Sequence, residues 1–251
     1  MAHGTPPRHR RRLRRTAAMA SMGLALALLP TMGTASAETF TDPNDRCLPG
    51  EDAPPAPFSD RDQISPAHLP SVDCIAAMKI GNGQGDGTYN PKGMTRRDQM
   101  ATFIVNSLRA AGYDLPEPED TPFTDIEGNV HAENIGILVA TGITSGKTET
   151  TYAPAELVRR DQMVSFLVQA AEYAFGDDDL ENPFAPGEEP TPAFDDVSPD
   201  NVHAANIDAG ALVLGLVDGK APRVFDPAMF TAREQMASFL VRLVDLTLIV
   251  E

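Results

Sequence analysis

The stretch Arg97-Asp98-Gln99-Met100-Ala101-Thr102-Phe103-Ile104-Val105 occurs three times in this chain. It returns as Arg160-Asp161-Gln162-Met163-Val164-Ser165-Phe166-Leu167-Val168, and again as Arg233-Glu234-Gln235-Met236-Ala237-Ser238-Phe239-Leu240-Val241. In the third copy Met236, Phe239, Leu240, Leu243 and Val244 fall at i, i+3, i+4, i+7 and i+8, the single buried stripe of an amphipathic helix. Three such helices in 251 residues restrict the chain to a repeat architecture, because a short helical unit cannot bury its apolar face alone.

Around each helix the same parts keep their order. A Phe-x-Asp opens each copy (Phe58 to Asp60, Phe123 to Asp125, Phe194 to Asp196), and a histidine (His68, His131, His203) begins a first helical segment. That segment ends at a glycine and a turn, at Gly83, Gly146 and Gly219. An aromatic two residues before a proline follows (Tyr89, Tyr152, Phe225), and six residues after the proline stands the arginine of the second helix. Thr95-x-x-Asp98 and Thr231-x-x-Glu234 read as capping boxes for that helix, whereas Val158 predicts a start weaker by about 1 kcal/mol in the second copy. The repeats are therefore helix–loop–helix units at 58–112, 123–175 and 194–246, separated by Pro-rich acidic linkers. The fold expected is all-α, with the second helices meeting as a central three-helix bundle.

Ahead of the repeats, residues 1–37 read as a secretory signal. A basic run from Arg10 to Arg15 precedes an apolar stretch from Ala17 to Leu29 and then Ala35-Ser36-Ala37. The apolar stretch falls short of the roughly 20 residues of a membrane span. Removing a segment with six arginines and no acids takes the formal charge from −16 to −22. That balance argues against nucleic acid and anionic membrane surfaces as partners and suits a self-repelling extracellular protein. Cys47 and Cys74 are an even pair in an exported chain. Bridged, they tie the extension at 38–57 to the first repeat and add about 3–4 kcal/mol on the chain-entropy model; two free thiols are the alternative.

With these residues in view, the chain resembles the S-layer homology repeat in a triple array. The resemblance rests on the Phe-x-Asp starts, on Gly85-Asp86-Gly87-Thr88-Tyr89-Asn90-Pro91, and on Thr95-Arg96-Arg97-Asp98-Gln99-Met100. It implies a pseudo-threefold helical spindle. It also implies non-covalent attachment to a secondary cell-wall polymer, in some members a pyruvylated glycan, in grooves between repeats, with an arginine at the start of the second helix contributing to the anionic site. The chain departs from the usual pattern in having no Trp, and it keeps the Asp-Gly turn only at Asp86-Gly87. Counting from the threonine assigns Arg96 to that role. Counting back from the apolar stripe assigns Arg97, and only this scheme supplies an arginine in every copy, with Arg160 and Arg233.

A cation in a helix first turn opposes the dipole, so these arginines suggest either a ligand carboxylate seated on free N–H groups or a pin between repeats through Asp60, Asp125 and Asp196. The three acids also read as caps of the first helix or of the turn before it. Gly83, Gly146 and Gly219 read as turn glycines, or else as points of close ligand approach. One histidine per repeat at a helix start reads as a packing residue rather than a metal ligand, and the acidic run Asp177–Asp179 as a solvated spacer. No nucleophile elbow, zinc-protease helix or phosphate loop occurs, so no enzyme activity, cofactor or metal is expected. The leading reading is a secreted, surface-located wall-binding protein, with self-association open. The competing reading is a scaffold for other envelope proteins.

Overall fold

Among the described residues six α-helices carry the regular structure: α1 (Leu69–Ala77), α2 (Arg97–Ala110), α3 (Ala132–Ala140), α4 (Arg160–Phe175), α5 (Ala204–Asp208) and α6 (Arg233–Thr247). A 3-10 turn, Arg61–Gln63, precedes α1, and a π-helical segment, Ala209–Val213, continues α5. The structure, a computed structural model, describes residues 53–176 and 192–248. The expected export signal at residues 1–37, Cys47 and the run Asp177–Asp179 lie outside the described residues. Among the described residues there is no β-strand, only isolated bridges, and no helix is long and apolar enough to cross a membrane.

The apolar stripes read from the sequence are the core. Met100, Ile104 and Leu108 of α2, Met163 and Leu167 of α4, and Met236, Leu240 and Leu243 of α6 are fully buried, and these three helices touch one another pairwise. Each first helix lies against the second helix of the copy before it: α3 on α2, α5 on α4, and α1 on α6. The first copy therefore packs on the last, which joins the two ends of the described chain without a covalent link. In the first and third copies a carboxylate docks the incoming segment on the first helix. Asp73 of α1 accepts Ala56 N–H at 2.8 Å and is paired with Arg61, and Asp208 of α5 accepts Ala193 N–H at 2.8 Å.

The second helices begin one residue later than the expected capping boxes. Their N-caps are Arg96, Arg159 and Ala232, in extended backbone. The side chain three positions on (Gln99, Gln162, Gln235) accepts the N-cap N–H at 3.2, 3.1 and 3.2 Å. Thr95 and Thr231 thus do not cap, and Val158 does not mark a weaker start. Their backbones instead bond to one another: Thr95 N–H to Thr231 O at 3.0 Å, Val158 N–H to Thr95 O at 2.9 Å, and Thr231 N–H to Val158 O at 3.1 Å. Pairing between copies claims these peptides, which pushes each helix start along by one. The hydroxyls of Thr95 and Thr231 are left buried without a hydrogen-bond partner.

The third copy breaks the spacing by one residue. From histidine to loop glycine is fifteen residues in the first two copies (His68 to Gly83, His131 to Gly146) and sixteen in the third (His203 to Gly219). The π-helical turn absorbs the extra residue. It leaves Leu212 and Val213 exposed and presses Gly210 so close to α4 that a Cβ there would lie 2.9 Å from Val164 Cγ1.

Candidate functional site

Two layers of contact recur where one copy meets the next. The inner layer is built on the arginines of the second helices. Arg97, Arg160 and Arg233 are 7%, 4% and 3% exposed. Each Nε donates to the carbonyl of the aromatic in the following copy: Arg97 to Tyr152 O at 2.9 Å, Arg160 to Phe225 O at 2.9 Å, Arg233 to Tyr89 O at 2.8 Å. Each guanidinium also sits over two rings, with Tyr152 and Phe166 flanking Arg97, Phe225 and Phe239 flanking Arg160, and Tyr89 and Phe103 flanking Arg233. Burial pulls the Arg160 and Arg233 pKa values down, against the fields of Asp226 and Asp196 around Arg160 and of Tyr89 and Asp60 around Arg233. The aromatic answers the arginine where it can. Tyr152 OH donates to Arg97 O at 3.0 Å and Tyr89 OH to Arg233 O at 2.8 Å.

The Phe-x-Asp acids complete this layer by holding the aromatic's peptide, not by capping a helix. Asp60 accepts the N–H groups of Tyr89 and Asn90, both at 2.8 Å. Asp125 accepts those of Tyr152 and Ala153 at 2.9 and 2.8 Å, and Asp196 those of Phe225 and Asp226 at 2.8 and 2.7 Å. The second residue of each pair has positive φ, between 56° and 63°, so the carboxylate clamps a left-handed turn. Burial alone would raise the Asp125 pKa, but the two N–H donors and Arg97 hold it below the ordinary value. Gly83, Gly146 and Gly219 close the same loops. A Cβ on any of them would meet Phe58, Phe123 or Phe194 within 2.9 Å. The expected residues are thus brought together, but around an aromatic–arginine lock rather than an open cavity.

The outer layer is a polar cleft. Between α2 and α3, Arg96 pairs with Asp98 at 3.0 and 2.8 Å. Asp98 also accepts Asn129 Nδ2 at 3.0 Å, and Thr102 meets His131 and Asn134. Between α4 and α5 the same places hold Arg159, Asp161, Asn201, Ser165, His203 and Asn206. Between α6 and α1, Ala232 replaces the outer arginine, and Lys92 reaches Glu234 and Ser65, each at 2.6 Å. Burial alone would raise the Glu234 pKa, but Lys92 and the Ser65 N–H and hydroxyl hold it below its usual value. The outer cations are accessible, with side chains 44% exposed at Arg96 and Arg159 and 57% at Lys92. Sequence reasoning missed this layer. Its signal was an acid four residues before a hydroxyl on one helix (Asp98 and Thr102, Asp161 and Ser165, Glu234 and Ser238), facing a His-x-x-Asn or His-x-x-Ser on the next. No group of three or more metal-ligating side chains forms among the described residues. Cys74 is buried in α1, and Cys47, the partner expected for it, lies outside the described residues.

An endoglucanase of Bacillus sp. (strain KSM-635) is 30% identical over 184 residues, 73% of this chain and 18% of that protein. The surface-layer 125 kDa protein of Lysinibacillus sphaericus is 27% identical over 126 residues, 50% of this chain and 10% of that protein. The chain thus spans less than a fifth of the length of either relative. Residues 57–101 and 122–164 match the family model of the S-layer homology domain, so the first two copies of the repeat carry S-layer homology sequence.

Proposed function

We propose that this is a secreted cell-envelope protein that attaches non-covalently to a secondary cell-wall polymer through the clefts between its repeats. The observation that carries this reading is one cleft chemistry, an accessible cation beside a buried acid and a row of amides or hydroxyls, repeated at the junctions of a chain with S-layer homology sequence. In this reading residues 194–246 are a third S-layer homology repeat, and the three copies form a pseudo-threefold spindle around α2, α4 and α6. Residues 1–37 direct export, and Cys47 bridges to Cys74. Arg96, Arg159 and Lys92 meet the anionic groups of the polymer. Arg97, Arg160 and Arg233, with Asp60, Asp125 and Asp196, shape the walls, since a guanidinium between two rings reaches a polymer only if that sandwich opens. Gly83, Gly146 and Gly219 keep the loops close enough to do so. The limited coverage of the endoglucanase is that expected of a shared attachment module, and no catalysis is proposed for this chain.

The test is co-sedimentation with wall sacculi, native and chemically stripped of secondary polymer. Binding only to native sacculi is expected, with at least a tenfold loss in the Arg96→Ala/Arg159→Ala variant at unchanged helix content. Equal retention on stripped walls sinks the reading. A scaffold role is favoured by one feature, the exposed apolar side chains of Met94, Met229 and Phe230 near the Thr95–Val158–Thr231 ring. A stoichiometric protein partner with no polymer affinity is the outcome that supports it.

A further inference from the structure

Each junction holds a histidine whose ring crosses from one copy to the next. His131 Nδ1 lies 2.7 Å from Thr102 Oγ1, His203 Nδ1 2.8 Å from Ser165 Oγ, and His68 Nδ1 2.9 Å from Ser238 Oγ. The hydroxyls differ in what else they do. Thr102 and Ser165 each receive an amide hydrogen, from Asn134 Nδ2 and Asn206 Nδ2, both at 2.8 Å. An amide nitrogen only donates, so those oxygens accept there; among the described residues the imidazole is the one other polar partner of each hydroxyl, and the hydroxyl proton points to it. His131 and His203 are therefore acceptors at Nδ1, with the ring proton on Nε2. Ser238 instead donates to Ser71 Oγ at 3.1 Å, which makes His68 the donor at Nδ1.

We propose that His131 and His203 make the α2–α3 and α4–α5 junctions proton-sensitive: protonation at Nδ1 reverses the histidine–hydroxyl bond and loosens those two clefts, while the His68 junction stays closed. In the first two, a proton at Nδ1 takes the oxygen's second lone pair, and the hydroxyl hydrogen loses the acceptor it had on the ring. His68 takes its second proton on Nε2, and the bond to Ser238 is untouched. The charged groups facing each ring come from the neighbouring second helix and the residues just before it. They are Asp98 and Arg96 at His131, Asp161 and Arg159 at His203 together with Arg97 of α2, and Glu234 and Lys92 at His68. Burial holds all three rings below their ordinary pKa of 6.5, the carboxylates oppose it and the cations add to it. The unfolded chain therefore takes up protons first. The neutral rings' contribution to stability is complete above pH 6.5 and is lost as pH falls from there towards the folded values. That the wall polymer responds to this loosening rests on the proposed function; the protonation does not.

The full chain, labelled with 15N at histidine, reports the tautomers directly at pH 7.5. Nδ1 unprotonated in His131 and His203, but protonated in His68, is expected; Nδ1–H in either of the first two overturns the proposal. Between pH 7.5 and 5.0 the melting temperature should fall by several degrees. That fall should shrink by more than half in His131→Asn/His203→Asn and persist in His68→Asn. An undiminished fall in the double variant overturns the proposal, and if that variant does not fold the tautomer measurement still decides. Retention on sacculi, followed over the same range, should drop at least threefold in the wild type. No retention at any pH rejects wall attachment and leaves the tautomer result standing.

Discussion

The junction that joins the last copy to the first is made differently from the two between consecutive copies. Between α2 and α3, and between α4 and α5, the cleft is Arg, Asp, two Asn, a hydroxyl and His; between α6 and α1 it is Lys92, Glu234, Ser65, Ser71, Ser238 and His68. Underneath, the lock is the same: an arginine Nε on the next aromatic's carbonyl, and a carboxylate on that aromatic's peptide. The inner layer is constant because it is backbone geometry, which tolerates one arginine placement. The outer layer varies because its contacts from one copy to the next run mostly between side chains, and Lys–Glu–Ser fills the same space as Arg–Asp–Asn. The Arg160 lock shows the limit of this tolerance. Phe225 lacks the hydroxyl that Tyr89 and Tyr152 return to the arginine's carbonyl, and Arg160 gains a bond to Asp218 O at 3.2 Å instead.

The strongest way to break the comparison is to remove the lock at the closing junction and at a consecutive one. Arg233→Ala and Arg97→Ala should each lose about 3 kcal/mol in urea unfolding, from a charged hydrogen bond and the ring contacts. A loss under about 1 kcal/mol for Arg233→Ala alone would mean the chain ends are not truly joined. Next in size is Gly210→Ala, where a methyl 2.9 Å from Val164 should cost about 1–3 kcal/mol and show whether the extra residue of the third copy has fixed the packing of its first helix on α4. Smallest, and opposite in sign, are Thr95→Val and Thr231→Val. Each removes a buried, unpartnered hydroxyl, as at the equivalent Val158, and should raise stability by about 1 kcal/mol. A loss instead would restore the threonines as helix caps.

Much of this was legible beforehand. The stripe Met236, Phe239, Leu240, Leu243, Val244 predicts a buried helix face, and all five are buried. Counting back from that stripe picks out Arg97, Arg160 and Arg233 as equivalent, and the structure places them equivalently. Their surroundings were not legible, because the aromatic that receives each arginine lies 55 to 144 residues away. The capping assignment failed for a related reason. Thr-x-x-Asp is a local signature, but the Thr95 peptide pairs with Thr231, and a long-range bond outweighed the local preference. The insertion before Gly219 was countable, yet only the structure shows it taken up as a π-turn.

The sequence by itself determined what repeats: three amphipathic helices, their order, and the residues each unit must hide. Tertiary structure decided which copy each unit hides them against. It buried the arginines at the helix starts, because the following copy's rings and carbonyl close over them. It left the outer cations at the surface, because nothing in the next copy covers them.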